Sequence, residues 1–436
     1  MADADPLPKF AFRDDGPTLF EMAARGVRDL ASVIPAAVLR ERSVQLPSPP
    51  FGPRSPLVIA DPDLARLVLV DKAGGFGRDR LLKRLMRRSW GDGLAGAEGA
   101  AWKQQREAAA PAFRAAEVSS RIPDFAAAAR EVADTLRPDS PVDLTELAGR
   151  IVARIVLRVL VAAEGLAEPD AVAAIMPAYV DAIAAFGLAD VLPLPERWHD
   201  RLRGIDRNAA VKRVKATARK IARERGTGDE RSDLIDLLAR AGPMEDNIRG
   251  LFPAAMDTTV RAAAWTLFIL SRRTEWQDRI AAEAQACAGR YELARLPLAR
   301  RAVQEALRLF PPAPMLVRSA LRDTEVDGKP VRAGQTVAVS IYAMHRHRSL
   351  WDDPDGFDPD RFAPEHGQHK AYLPFGLGPR SCVAAQFALA EITVVVACLL
   401  ATVALSRSDG LPSVSLRVST RPTGPLTAYA TKRRTG

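Results

Sequence analysis

The sequence lacks the features of an exported or zinc-binding protein. Three of its 436 residues are cysteines, Cys287, Cys382 and Cys398, too few and too scattered for a disulfide framework or a thiolate zinc cluster. The N-terminus carries early acidic residues and prolines, where a signal peptide needs a basic start and an unbroken apolar run. We therefore expect a reducing, cytoplasmic location.

Long apolar runs are also missing. The longest run, residues 392–405, contains two threonines and is shorter than the roughly 20 residues that a membrane-spanning helix requires. It predicts a buried core helix and no transmembrane anchor. The chain contains neither internal repeats nor low-complexity tracts.

Composition indicates a globular protein, and charge favours an acidic partner. Hydrophobic residues make up 47% of the chain and charged residues 26%, the balance of a protein with a sizeable core. The formal net charge of +9 favours nucleic acid, anionic lipid or an acidic redox protein. The basic run 211–225 is compatible with a nucleic-acid or membrane contact, but alanines and valines on its other face favour a solvated helix.

Hydrophobic periodicity predicts a mainly α protein with a small β-rich subdomain. Residues 57–60 predict a strand followed by a helix from Asp61. Apolar residues at three- and four-residue spacing predict mostly helix from about residue 100 to 310. A glycine and two prolines in 187–195 predict a surface loop able to open and close.

Short alternating runs predict strands in the C-terminal part, from about residue 315 to 436, with a terminal hairpin in 411–430. The proline-interrupted residues 1–55 form an N-terminal lead-in. We expect one domain over residues 1–436.

The most informative segment is residues 375–384, Phe-Gly-Leu-Gly-Pro-Arg-Ser-Cys-Val-Ala. It places Cys382 at the start of an apolar helix, where backbone N–H groups and the helix dipole stabilise the thiolate that binds iron. Gly376 and Gly378 permit positive φ values and a close approach to a flat cofactor. For an isolated cysteine, a buried thiol under a helix would be the better interpretation.

This segment resembles the haem-binding loop of the cytochrome P450 family, Phe-x-x-Gly-x-Arg-x-Cys-x-Gly. Only the last position differs, where Ala384 replaces glycine. The resemblance implies a P450 fold that encloses one haem b, with Cys382 as axial ligand and Phe375, Gly376, Arg380 and Ala384 beside the cofactor. We expect the extra methyl group of Ala384 to alter local packing and to be tolerated.

Further motifs of the family follow in order and spacing. Glu305 and Arg308 lie three residues apart on one helix face, and with Arg361 they imply a buried ion network that fixes the proximal loop rather than adding stability. Trp102 and Arg106 match the family's Trp-x-x-x-Arg helix. Trp102, Arg106, Arg318 and Arg380 are thereby implied contacts of the haem propionates.

An acid–alcohol pair, Asp257 and Thr258, lies in the apolar segment 251–270. Cleavage of iron-bound dioxygen needs protons, which a positioned hydroxyl and carboxylate can deliver; capping or back-bonding within a helix is the structural alternative. Ala255 stands where the family usually has glycine. We hypothesise that Pro253, which removes an N–H donor from the helix, supplies the distortion that glycine usually permits.

Two further groups of residues are a candidate substrate pocket and a pair of histidines. Apolar residues hint at a pocket for a lipophilic substrate such as a fatty acid, terpenoid or steroid. The candidates are Phe186, Ala254, Met315 and Leu316. His345 and His347 lack a third metal ligand nearby and suggest a polar loop.

The resemblance implies a soluble, bacterial-type, monomeric monooxygenase that uses haem b and O2. No flavin or iron–sulfur module is visible, so electrons from NAD(P)H would arrive through a separate ferredoxin or flavodoxin and its reductase. Three alternatives remain: a peroxide-driven peroxygenase, which would usually lack the acid–alcohol pair; a non-catalytic haem sensor or carrier; and a nucleic-acid binder, disfavoured because the basic residues are dispersed.

Overall fold

A computed structural model describes residues 6–18, 21, 30–48, 54–184, 207–225, 233–367 and 369–433. In these ranges the α-helices are α1 (Pro62–Val70), α2 (Arg80–Trp90), α3 (Gly99–Ala109), α4 (Ala115–Ser120), α5 (Ile122–Ala133), α6 (Leu144–Ile155), α7 (Pro169–Ala184), α8 (Ala209–Arg225), α9 (Leu234–Ala239), α10 (Met244–Ser271), α11 (Thr274–Gln285), α12 (Pro297–Leu309), α13 (Ile341–Met344) and α14 (Ala385–Thr402). The strands are β1 (Ser43–Gln45), β2 (Leu57–Ile59), β3 (Phe76–Arg78), β4 (Ser140–Asp143), β5 (Met315–Ala320), β6 (Thr324–Val326), β7 (Lys329–Val331), β8 (Thr336–Ser340), β9 (Val403–Arg407), β10 (Val414–Leu416), β11 (Thr420–Pro422) and β12 (Thr427–Lys432).

Local capping sets the start of α1. The Asp61 carboxylate accepts hydrogen bonds from the N–H groups of Asp63 and Leu64, and Pro62 occupies the first helical position. These residues satisfy or remove N–H groups that a helix start leaves unpaired. The predicted strand and the helix after Asp61 are confirmed.

The helical core is built around α10 and α14. Helix α10 has 28 residues and packs against α6, α8 and α12, whereas α14 packs against α5, α11 and α12. Among the helices described, α14 alone is long and apolar enough to cross a membrane, but 78% of it is buried inside the protein. The predicted core helix is therefore confirmed, except that it ends at Thr402 and the last three residues of the run belong to β9.

The β-rich part forms small sheets beside this core. One sheet has the strand order β1-β2-β8-β5-β3, with β2 and β8 parallel, and a second has the order β4-β12-β9. Residues 411–430 do contain an antiparallel hairpin, β10 and β11, but it spans only residues 414–422 and turns before Pro422, while β12 joins the second sheet. The hairpin is fixed to α10 because the Trp265 indole N–H donates to the Thr420 carbonyl at 3.3 Å.

Helix α8 confirms the prediction of a solvated basic face. Its exposed residues include Lys212, Arg213 and Arg219, whereas Val211 and Ile221 are buried. The predicted loop 187–195 lies outside the described residues.

Candidate active site

The cysteine loop folds back on itself before α14. The Cys382 N–H donates to the Phe375 carbonyl at 2.9 Å and the Ser381 N–H donates to the Gly378 carbonyl at 3.0 Å. Gly376 and Gly378 have φ values of 73° and 79°, in the left-handed region that favours glycine. A Cβ at position 378 would also lie 2.3 Å from the Leu69 carbonyl oxygen, so this turn requires glycine on two grounds.

The thiol of Cys382 lies where α14 begins. Of the three cysteines, Cys382 alone is accessible to solvent. The protein atoms packed around its thiol nevertheless remove much of the surrounding water, which raises the pKa of Cys382. The Ala384 N–H and the Arg106 charge oppose that shift. Ala384 itself has φ −97° and ψ 20°, which an L-residue adopts readily. The departure from glycine therefore adds a methyl group without left-handed backbone strain.

A cluster of arginines surrounds the same loop. Arg106 on α3 donates from Nη1 to the Ser381 carbonyl at 2.8 Å. The guanidinium carbon of Arg380 lies 3.9 Å from the centre of the Trp102 ring, and that of Arg106 lies 5.9 Å from it. The structure thus brings Trp102, Arg106 and Arg380 together, with the indole packed against both cations.

Arg318 has a neighbour that the sequence analysis missed. Arg78 on β3 is its direct cross-strand partner on β5, a placement of like charges that normally destabilises a sheet. Burial lowers the pKa of Arg318, and the Arg78 charge lowers it further. Burial, followed by Arg78, lowers the pKa of Arg380 to about 10.

One carboxylate offsets this positive charge. Glu98 Oε1 lies 2.7 Å from Arg78 Nη1 and 3.3 Å from Arg380 Nη2. Arg78 and Glu98 carry no motif of their own. Only the antiparallel register of β3 against β5 could have pointed to Arg78, and that register is a long-range property.

The predicted ion network of Glu305, Arg308 and Arg361 is present in the structure. Arg308 donates from Nε and Nη2 to the two carboxylate oxygens of Glu305, each at 2.7 Å, and both side chains are fully buried. Arg361 Nε lies 3.5 Å from Glu305 Oε1. Burial raises the pKa of Glu305, although the Arg308 hydrogen bonds and charge oppose that shift.

His345 does not lie in a solvent-facing polar loop, and neither does His347; both are buried. His345 Nε2 accepts from the Leu373 N–H at 2.9 Å, so the Nδ1–H donates to the Arg308 carbonyl at 3.1 Å. Burial, followed by the Arg308 charge, lowers the pKa of His345 to about 3. The neutral ring therefore ties the ion network to the residues just before the cysteine loop.

Helix α10 presents one open face. Leu251, Ala254, Ala255 and Thr258 are half-buried or exposed in a helix whose middle is otherwise buried, and their spacing places them on one side. The Thr258 hydroxyl donates to the Ala254 carbonyl at 2.7 Å. The helix continues through Pro253 without interruption.

Asp257 lies beside this open face rather than on it. It is buried, with Oδ1 3.4 Å from Arg261 Nη2 and 3.3 Å from Arg421 Nη2. Arg421, from β11, also pairs with Asp181 on α7. The structure therefore places an ion network around the predicted acid that the sequence did not reveal, since Arg421 is 164 residues away.

The sequence model of the cytochrome P450 family matches residues 39–421. The chain belongs to the cytochrome P450 family. It is 30% identical over 410 residues to the cyclooctatin synthase of Streptomyces melanosporofaciens, covering 87% of this chain and 85% of that one. The cyclooctat-9-en-7-ol 5-monooxygenase of the same organism is 27% identical over 379 residues, covering 80% and 79%. A third relative, LUTEIN DEFICIENT 5 of Arabidopsis thaliana, is 24% identical over 405 residues, covering 84% and 68%.

The protein is thus a cytochrome P450 monooxygenase with the P450 fold, a family that uses haem iron and O2. The donors fit haem. A P450 thiolate ligand needs an accessible cysteine on the glycine loop, and Cys382 meets that need. Haem propionates need a cationic site, and Arg78, Arg106, Arg318 and Arg380 would supply one, with Glu98 paired to two of them. Bound haem supplies the oxidation chemistry in this family.

The P450 substrate-pocket candidates are only partly brought together. Ala254 lies on the open face of α10, whereas Leu316 approaches the cysteine loop, 3.2 Å from where a Cβ of Gly376 would be. Met315 is half-buried and packs against two hydrophobic clusters, one built on α10 and α14 and the other on the five-stranded sheet. Phe186 lies outside the described residues.

Proposed function

We propose that this P450 inserts one oxygen atom from O2 into a lipophilic, unsaturated alcohol, with electrons from a separate ferredoxin or flavodoxin and an NAD(P)H-dependent reductase. The observation that carries the proposal is the open face of α10, where Leu251, Ala254 and Ala255 offer apolar contacts beside the Thr258 hydroxyl. An apolar surface with one hydroxyl suits a mostly hydrocarbon substrate.

The substrate class takes support from a relative. Its name specifies oxidation at position 5 of cyclooctat-9-en-7-ol, which the name describes as an alcohol with a double bond. Met315 and Leu316, the first residues of β5, would extend the apolar wall. Fatty acids and steroids are the competing classes.

Thr258 would position water for proton delivery. Its O–H is donated to the Ala254 carbonyl, which leaves the hydroxyl oxygen free to accept a hydrogen bond from water. The oxygen thereby holds that water at a fixed place on the open face.

Asp257 would supply the proton from behind this face. Both of its arginine contacts use Oδ1, so Oδ2 is the atom that can carry and release a proton. Arg421 and Arg261 would fix the orientation of the carboxylate. Breaking the contacts of Asp257 with Arg261 and Arg421 would therefore control when Asp257 passes a proton to the water held by Thr258.

The peroxygenase alternative is weaker because both Asp257 and Thr258 are present. Thr258→Ala, compared with Thr258→Ser, separates the two: a monooxygenase loses coupling of reductant to product in the alanine variant and retains it in the serine variant. Equal coupling in all three proteins would contradict the proton-delivery role. If the protein were a haem sensor, added substrate would not increase NADH consumption in the presence of a surrogate reductase.

The substrate is tested by titrating unsaturated alcohols, fatty acids and steroids and following the haem Soret band. The best binder is then incubated with isotopically labelled O2 and a surrogate ferredoxin system. We expect an unsaturated alcohol to shift the band at the lowest concentration and to gain one labelled oxygen atom. Preferential binding of a fatty acid or steroid would contradict the substrate class, and unlabelled product would contradict the reaction.

A further inference from the structure

A cavity lies next to α10, mainly on the side opposite its open face. It has a volume of about 470 Å³ and lies between α6, α7 and α10. Met256 and Val260 line it, and at about 100° per residue they point to the side of α10 opposite Thr258. The cavity therefore opens mainly on the side of α10 away from Thr258, with Arg261, three residues after Thr258, at its edge nearest the open face.

Most charged groups in this cavity are already engaged. Asp170 pairs with Arg150 at 3.4 Å and with Arg154 at 2.6 Å, and Asp143 accepts a hydrogen bond from the Thr145 N–H at 2.7 Å. Their charges and lone pairs are thus largely used within the protein.

Two charges of opposite sign remain. Glu146 is exposed at the cavity and makes no hydrogen bond or ion pair with any described residue. Arg261 is only 8% exposed, yet within the described part of the chain its one ion pair is the 3.4 Å approach to Asp257, and its Nε has no hydrogen-bond partner there. A buried guanidinium left this poorly paired is costly.

We propose that this cavity binds an α-amino acid with an apolar side chain, whose carboxylate pairs with Arg261 and whose ammonium group pairs with Glu146. The apolar side chain packs against Ala173, Met176 and Met256. A simple anion would meet Glu146 and Asp257, and a simple cation would leave Arg261 unpaired, so the zwitterion satisfies both charges. The volume lies within the range of small-molecule sites, about 300–1,000 Å³.

Asp257 competes with the ligand for Arg261. Because Asp257 Oδ1 partly neutralises Arg261, removal of the Asp257 charge strengthens the attraction of Arg261 for a carboxylate. Asp257→Asn therefore tightens amino-acid binding, whatever the oxidised substrate is.

The test is calorimetric titration of the ferric holoenzyme saturated with imidazole, which occupies the haem iron and excludes amine ligation there. L-Phenylalanine is compared with hydrocinnamate, which lacks the amine, and phenethylamine, which lacks the carboxylate. We expect saturable binding of phenylalanine with one site per chain, and affinities at least about tenfold lower for the other two, or about 1.4 kcal/mol. Equal affinities of all three would overturn the charge assignment.

Variants locate the site. Glu146→Gln and Arg261→Gln should each weaken phenylalanine binding about tenfold or more, and Ala173→Phe should abolish it by filling the cavity. Glu117→Gln, an exposed glutamate on α4, is the matched control and should leave the affinity unchanged. Absence of saturable binding, or binding unaffected by Glu146→Gln and Ala173→Phe, would refute the proposal and leave the monooxygenase function standing.

Discussion

Glu391 gives the protein a specific pH dependence of stability. It lies on α14, nine residues after Cys382, and is 3% exposed. Its Oε1 has no hydrogen-bond partner among the described residues, and burial raises the pKa of Glu391 from 4.5 to about 8. The folded protein therefore holds this carboxyl group protonated at neutral pH.

The sign of the effect follows from proton binding. Below pH 4.5 the carboxyl is protonated in both states, so it adds no pH-dependent cost. Between pH 4.5 and about 8 the unfolded chain releases the proton and the folded chain retains it, so the free energy of unfolding falls as pH rises. Each unit of pKa difference corresponds to about 1.4 kcal/mol, so the full cost approaches about 5 kcal/mol.

Glu391→Gln removes this titration while preserving size and polarity. The difference in unfolding free energy between the variant and the natural protein, measured by urea denaturation of the holoenzyme, should grow by about 1.4 kcal/mol per pH unit across that window and then level off. Glu117→Gln, an exposed control on α4, should give a flat difference. A flat difference for Glu391→Gln as well would refute a raised pKa.

Three further changes test the site. Arg308→Ala should destabilise the protein by about 3–5 kcal/mol in urea denaturation, because it leaves Glu305 buried and unpaired; a loss below about 1 kcal/mol would contradict the network. Arg78→Gln should speed haem transfer to apomyoglobin severalfold, since it removes a cation opposite Arg318. Equal transfer rates in this variant and in the exposed-site control Arg66→Gln would contradict a role of Arg78 in holding haem. Pro253→Ala should divert NADH electrons to hydrogen peroxide, and unchanged coupling would reject the hypothesis that proline distorts α10.

Sequence reasoning succeeded where the relevant forces are local. The Asp61 cap and the apolar character of α14 depend on residues a few positions apart, and the glycines of the cysteine loop mark the positive φ values that the structure contains. Helix capping, hydrophobic periodicity and backbone steric limits can each be recognised from one short segment of sequence.

Sequence-based prediction failed for contacts between segments that are far apart in the chain. His345 looked like a loop residue because nothing local shows that Leu373 and Arg308 enclose it. The partners of Asp257 were missed for the same reason, since Arg421 arrives with the C-terminal hairpin. The end of α14 was predicted three residues too late, because Val403, Ala404 and Leu405 are apolar and suit a helix as well as a strand. Their pairing with β12 places them in a strand.

The ligation of haem iron by Cys382 is the central claim, and the absorption spectrum of the CO-bound ferrous protein tests it most directly. The natural protein should show the strongly red-shifted Soret band of thiolate-ligated haem, and Cys382→His should retain haem but lose that shift. Cys287→Ser, at a buried cysteine outside the cysteine loop, should leave the band unchanged. A natural protein that binds haem and CO without the red shift, or a Cys382→His variant that keeps it, would contradict the assignment.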